Sequence, residues 1–589
     1  VEREIVKEKF WDKWILTNYA GAYSISTLSL TNTSRWDSLL SILRKKRYNL
    51  LGKLWDIAKI NGKEYHLDTS DFGDVIHPDG FNYISQTKLE RGYQIYYDLH
   101  GTQLIKEIYL DKRREFISIK YSAIGDSEVE LNVVPLLQMR AAEELNKDKS
   151  ANITVRKGDF VEISRGDLVI MSNQAENFIP SNDTYFKFFY LEDDLNGYDS
   201  VENLYSPGYF QFKLNKEINI DFWVPGNTPQ KDFSNLMGRP KGINQDIWNG
   251  ADLFITQDNI IAGFPWFNYW SRDAFISIPG LLLVRGYLEH GKIIIENWMN
   301  LYPDGKIPNM IGGEIYPSDS PLWFIYSLKK YFDYTNDTGF IYRALDYTKH
   351  ILDNYIEGYE GIKLDGYFIH SPPGRTWMDA QCDGKFITPR EGKPIEVNSL
   401  WYNALKIFKE FMAKTNTKIP EEYDNLIAGF EENFQKKFVK GNKIKDIADP
   451  DDFSVRPNFL FAFSLPYNLL SNIRPFNALL GKLATPYGLR SLSSDDPRYI
   501  GIYAGSKCER DMAYHNGTVW PWLVGPYITA LVRNNMDRNQ LLFYFSPLLN
   551  LKYIPEIFDG NLPSIPRGAY AQAWSYAEIL RALREDLKI

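Results

Sequence analysis

One change of rhythm constrains this chain more than any other feature: near residues 225–245 its apolar residues stop alternating and begin to recur at helical spacing. A period of two puts side chains on one face of a strand, and a period near 3.6 puts them on one face of a helix. The two parts therefore belong to different layers of structure. Before the change, Glu115–Tyr121 alternates polar and apolar residues, as do the segments around Val129–Val133, Tyr209–Leu214 and Ile218–Trp223. Asn61-Gly62, Pro78-Asp79-Gly80 and Arg91-Gly92 supply the turns between such runs. Many short strands at this spacing predict an antiparallel β-sandwich. Pro225-Gly226-Asn227 through Gly238-Arg239-Pro240-Lys241-Gly242 reads as a linker or long surface loop.

After the change, Pro420–Val439 sets Tyr423, Leu426, Ile427, Phe430, Phe434 and Phe438 on one helical face. Asn398–Thr415 does the same with Leu400, Trp401, Ala404, Leu405, Phe408 and Met412. Ser320-Pro321 reads as a cap followed by proline in the first turn of a helix running through Tyr331. Trp574, Ala577, Leu580 and Leu583 form a stripe opposite Ser575, Glu578 and Arg581. Roughly ten to twelve helices of this kind, joined by long loops rich in Gly, Pro, Trp and Asp, fit an α/α toroid around a central pocket. The domains expected are a sandwich with linker over 1–240 and a helical domain over 241–589.

Composition narrows the partners. A net charge of -8 argues against nucleic acid or a membrane surface, whose binders concentrate Lys and Arg. Arg44-Lys45-Lys46-Arg47 is too brief to be more than a solvated face. Cys382 and Cys508 can make one bridge but no multi-thiolate metal site, and neither a metal nor a cofactor is expected. There is no long uncharged apolar stretch, and Val1–Lys9 is highly charged, so a cytoplasmic enzyme is expected. Aromatic residues reach 15%, and rings set among polar groups suit the flat C–H faces of a sugar.

Four loops could carry chemistry. Gly263–Asp273 crowds Trp266 and Trp270 against Arg272 and Asp273, where Asp273 is either a helix cap or part of a sugar-gripping site. Ser371–Asn398 holds Asp379 beside Trp377 and Met378, together with Glu396. If those neighbours exclude water, the acid form of Asp379 is favoured, as a general acid requires. Arg510–Trp522 contributes His515 and Asn516 as hydroxyl partners, with Trp520 and Trp522 as walls. Tyr553–Gly568 holds Glu556 and Asp559 in a proline-stiffened loop, with Arg567 as an available salt-bridge partner. No GxSxG elbow, P-loop, HExxH or dinucleotide fingerprint is present, which leaves paired carboxylates.

Taken in order, GFPWFNYWSRDAFISIPGLLL (263–283), SDSPLWFIYSL (318–328), TWMDA (376–380), TPREGKPIEVNSLWYNAL (388–405), TPYGLRSLSSDDPRY (485–499), RDMAYHNGTVWPWL (510–523) and PEIFDG with PRGAYAQAWSYAEILRA (555–582) resemble the amylo-α-1,6-glucosidase part of glycogen debranching enzymes. WILTNYAGAYSISTLSLTNTSRWDSLL (14–40) resembles the opening of the sandwich domain that precedes it in prokaryotic members, with Asn32–Asp37 departing from the usual Asn-Thr-Arg-Arg-Tyr-His run.

The resemblance implies an (α/α)6 barrel that releases single glucose residues from α-1,6 branch stubs of glycogen or limit dextrin with inversion. By motif, Asp379 would be the general acid and Glu556 the general base, with the carboxyls roughly 6.5–9.5 Å apart. By the same carry-over, Arg272, Asp273, Asp319, Trp401, His515, Asn516 and Trp520 would shape the glucose pocket; Glu396 would be the substitute for either catalytic role. The chain has no room for the transferase domain of eukaryotic members, so transferase activity is not expected. The alternatives are a glucoamylase-like exo-α-glucosidase acting on α-1,4 ends or a disaccharide such as trehalose, and a non-catalytic glycan-binding protein.

Overall fold

The computed structural model describes residues 11–214, 217–226 and 245–589. The chain divides into two units, Val1–Lys231 and Asp232–Ile589. The charged opening and most of the expected linker lie outside the described residues. Among those residues, no helix is long and apolar enough to cross a membrane.

The first unit is an antiparallel β-sandwich. One sheet runs in the order 13–17, 23–27, 38–43, 47–60, 129–141, 201–214 and 178–189, with 63–66 pairing onto 47–60. The other runs 154–157, 161–165, 168–172, 217–223, 116–124, 103–110, 93–98 and 84–89. The alternation seen in sequence is the alternation of burial: Leu104, Lys106, Ile108 and Leu110 face in, and Gln103, Ile105, Glu107 and Tyr109 face out. Ile117, Ile119 and Tyr121 continue the inner layer, and Trp14 stacks on Tyr93 at 4.6 Å. Inward lysines are matched rather than excluded. Lys106 meets Asp56 at 2.6 Å, and Asp56 also accepts from the Tyr121 hydroxyl at 2.9 Å. The departure at Asn32–Asp37 is a tied turn, in which buried Asp37 takes the Lys13 ammonium at 2.7 Å and the Thr33 and Ser34 amides.

The second unit is a closed ring. Helices 271–277, 320–335, 395–414, 461–464, 524–533 and 573–581 touch one another in that order, and the last returns to the first. Helices 288–301, 338–357 and 421–438 pack outside them. This is the expected (α/α)6 barrel. Inner helices are enclosed over most of their surface by their neighbours, so few of their residues meet water. The stripe read in the terminal helix is therefore incomplete: every residue of Ala573–Arg581 is buried, and Glu578 and Arg581 pair at 2.7 Å inside the protein.

Two local departures have clear causes. After helix 271–277 the backbone widens into a π turn at Ile278–Leu282, where Pro279 removes a hydrogen-bond donor. Gly280 there lets the chain touch the terminal helix; an added Cβ would fall 1.7 Å from the Ala577 carbonyl oxygen. Helix 320–335 begins at Ser320 itself, with Asp319 at the cap position but making no capping bond. Its carboxylate is turned instead onto Arg272.

Candidate active site

The four loops picked out in sequence each lead into an inner helix: 271–277, 395–414, 524–533 and 573–581. Inner helices of an alternating toroid run the same way, so these loops gather at one end of the ring. Short strands tie them together. Gly263–Phe264 pairs with Ala571–Gln572, and Val519 pairs with Phe558, which pairs in turn with Pro566.

Asp379 sits on a stiff loop. Arg390 donates to Thr376 at 3.1 Å and to Asp446 at 2.8 Å, and grips both oxygens of Glu396. Trp377 donates its indole N–H to Asn458 at 2.7 Å, and Met378 is fully enclosed. The chain then releases Asp379, whose side chain is 32% exposed. Its carboxyl is raised above the ordinary carboxylate range by loss of water, against the pull of Arg272 at 3.5 Å.

Glu556 is almost enclosed, at 3% exposure. One oxygen accepts from the Tyr514 hydroxyl and the other from the Ala569 amide at 3.0 Å. Burial lifts its carboxyl to about 7, Tyr514 and Ala569 work against that rise, and the charge of Asp379 adds to it. Gly568, with φ +68°, makes room for it; a Cβ there would fall 2.3 Å from Oε2.

Asp273 completes the group. It is not a cap, since Trp270 holds that position, and it accepts from the Gln572 amide at 2.8 Å. Burial raises it to about 7, with Arg272 opposing and Glu556 reinforcing the shift. Arg272 lies between these carboxyls and Asp319, which it holds bidentately at 2.7 and 2.8 Å. Burial works against the Arg272 charge, but Asp319 and Asp379 keep it protonated.

His515 stacks on Trp520 with rings 13° apart, and Trp377 meets both edge-on. Burial, then Arg456, Arg272 and Arg390, hold its pKa well below the ordinary value, so the ring is neutral. Its Nδ1 accepts from the Ala380 amide at 3.5 Å. Asn516 accepts from Arg456 at 2.8 Å and donates to the Met512 carbonyl at 3.1 Å.

The structure thus brings Asp379, Glu556, Asp273, Arg272, Asp319, Trp377, His515, Asn516 and Trp520 into one connected cluster. Trp266 is 37% exposed and Trp270 half-buried, with Phe267 edge-on to both. Two expectations change. Glu396 has both oxygens on Arg390 and is 1% exposed, so it braces the Asp379 loop and is not free to replace either carboxylate. Trp401 is fully enclosed beside Tyr355 at 5.7 Å, so it supports the site from behind. Asp559 pairs with Arg567 at 3.0 Å, the bland reading of that pair. Sequence reasoning missed Tyr514, Arg456, Asn458 and Gln572, although Tyr514 and Gln572 lie within quoted motifs. As for metals, Cys382, Asp383 and Cys508 lie close together, but the two sulfurs are joined in a disulfide, which leaves a single donor.

Comparison with known proteins places this site in a lineage. Residues 13–220 match the family model described as glycogen debranching enzyme N terminal. Residues 245–581 match the model described as amylo-alpha-1,6-glucosidase. A glycogen debranching enzyme of Saccharomyces cerevisiae is 24% identical over 386 residues, which is 46% of this chain and 25% of that protein. The match therefore spans about a quarter of that relative's length. A bacterial glucoamylase solved with acarbose superposes over 98% of this chain and 93% of its own, with a TM-score of 0.59 at 13% identity, a likeness of fold. With more than half its residues matched by the second model, the chain belongs to the amylo-alpha-1,6-glucosidase family.

Proposed function

We propose that the protein is a glycoside hydrolase that removes single glucose residues from α-1,6 branch stubs of a glycogen-like glucan, with inversion, using Asp379 and Glu556. The observation that carries this reading is that Asp379, against Arg272, and the enclosed Glu556, held by Tyr514 and the Ala569 amide, stand in one cluster of polar and aromatic side chains, with both carboxyls raised by burial. The mechanism needs one of each protonation state. The acid gives its proton to the glycosidic oxygen as the C–O bond breaks; the base takes a proton from the water that attacks the anomeric carbon from the opposite face. Exposed Trp266 offers a ring face to the glucan, and the family match supports the α-1,6 linkage.

Family resemblance makes Asp379 the acid. The electrostatics favours the opposite order, because Arg272 lies against Asp379 while Glu556 meets only neutral donors. Hydrolysis of α-glucosyl fluoride separates the two, since fluoride leaves without a proton. If Asp379 is the acid, Asp379→Asn keeps fluoride turnover and loses glycan turnover, whereas Glu556→Gln loses both. The reverse pattern assigns the acid to Glu556, and near-wild-type glycan hydrolysis by both variants would sink the mechanism. Branched limit dextrin, isomaltose, panose, maltooligosaccharides and trehalose test the linkage; fastest release from linear maltooligosaccharides would make it an exo-α-1,4-glucosidase. Glycan binding without wild-type turnover would leave only a binding protein.

A further inference from the structure

The helix Lys507–Tyr514 touches both catalytic carboxylates' supports. At its start, Ser506 and Glu509 form a reciprocal capping box, which fixes the first turn. Cys508, in that turn, is bonded to Cys382. Cys382 lies in the hairpin Gln381–Cys382/Lys385–Phe386 that directly follows Asp379. At the other end of the helix, the Tyr514 hydroxyl donates a hydrogen bond to Glu556, and the next residue, His515, accepts from the Ala380 amide at 3.5 Å. Eight residues of helix are a stiff rod about 12 Å long. The helix and the residue after it are thus fastened to the Asp379 loop on either side of Gln381, and the helix's last residue is fastened to Glu556.

We propose that this helix is a yoke that sets the position of Asp379 relative to Glu556, with Tyr514 as the positioning residue for Glu556 and the Cys382–Cys508 bridge as the tie to the Asp379 loop. The proposal rests on the assignment of these two carboxylates above. The Tyr514 ring is itself clamped, lying 4.9 Å from Trp520 and 5.7 Å from Tyr503. It cannot follow Glu556 if that side chain drifts. The titratable groups that act on Glu556 are Asp379, Asp273, Tyr514 and Tyr503, and its remaining oxygen is on the Ala569 amide. Tyr514 is the one side chain among these that donates to it, so it holds the charged form in place.

The test compares oxidised wild type, reduced wild type, Tyr514→Phe and the double variant Cys382→Ser/Cys508→Ser, all far below their melting temperatures. Tyr514→Phe is expected to lower kcat roughly tenfold with KM within about twofold. It also moves the limb of the pH profile that reports Glu556 to higher pH, because the lost bond favoured the carboxylate. Reduced wild type and the double serine variant are expected to lose kcat to a similar degree, and reoxidation of wild type restores it. An unmoved limb in Tyr514→Phe, or equal kcat in oxidised and reduced protein, overturns the proposal. Two readouts do not depend on turnover. Hydrogen exchange at the Ala380 amide speeds up on reduction, and the Glu556 carboxyl titrates higher in Tyr514→Phe by isotope-edited infrared. No change in either overturns the yoke even if no substrate is found. Near-wild-type glycan turnover by both Asp379→Asn and Glu556→Gln overturns the assignment of the two carboxylates instead.

Discussion

Asp273, Asp379 and Glu556 share the centre of the helical unit, yet each is held by different neighbours. Asp273 is 6% exposed and lifted to about 7 by burial, so below that pH its acid form is the stable one in the folded protein. A carboxyl raised in this way contributes its stability in full below its unfolded pKa and loses it as pH rises through the folded value. Asp273→Asn keeps an acceptor for Gln572 and removes that loss. It should therefore stabilise the protein by about 1–3 kcal/mol at pH 8 and by almost nothing at pH 4. Urea unfolding at both pH values checks this, and an equal gain at both would assign the effect elsewhere. Asp273 and Asp379 were legible because they stand in motifs beside tryptophans, and Glu556 because it stands in a proline-stiffened loop. What each one does was not legible, since that depends on partners such as Gln572, 299 positions from Asp273. Tyr514 shows the same limit, because the residue it serves lies 42 positions away.

At the scale of elements, the loops are stiffer than their glycines and prolines suggest. Arg390 joins Thr376, Glu396 and Asp446 beneath the Asp379 loop, all of it buried. Removing the guanidinium strands two buried carboxylates, so Arg390→Met should cost about 3–5 kcal/mol. Chemical denaturation measures it; a loss below 1 kcal/mol would mean that water fills the gap. Gly568→Ala probes the opposite loop. Its Cβ would press on the Glu556 carboxylate, so kcat should fall on the order of a hundredfold while the circular dichroism spectrum stays unchanged. Strands and helices were visible in the sequence wherever one face is wet, as in Phe116–Ile124 and Glu421–Phe438. Periodicity found the helix Ala573–Arg581 but mistook its surroundings, because the helix is enclosed on all sides. Helix 320–335 starts one residue earlier than the reading of Ser320 as its cap implies, with Asp319 at the cap position and its carboxylate taken by Arg272.

Across the whole molecule, the change of hydrophobic period does mark the passage from sandwich to barrel, and the two family matches fall on either side of it. The feature that sequence left open is the pairing of Cys382 with Cys508, 126 residues apart. Closing a loop of that length removes unfolded-state entropy worth about 4–5 kcal/mol in the chain model. Reduction should accordingly lower the melting temperature of the helical unit by several degrees; an unchanged melting curve would show the unfolded chain to be compact without the bridge. A reducing cytosol disfavours such bonds, which sets the expectation of a cytoplasmic enzyme against this pairing. No other cysteine exists in the chain, so the count of titratable thiols in a native preparation has only two stable readings. A preparation that reacts with two equivalents of a thiol reagent contains the untethered site, and one that reacts with none contains the tethered site. A colorimetric sulfur titration thus sorts batches of this protein by the Cys382–Cys508 tether before any sugar is added.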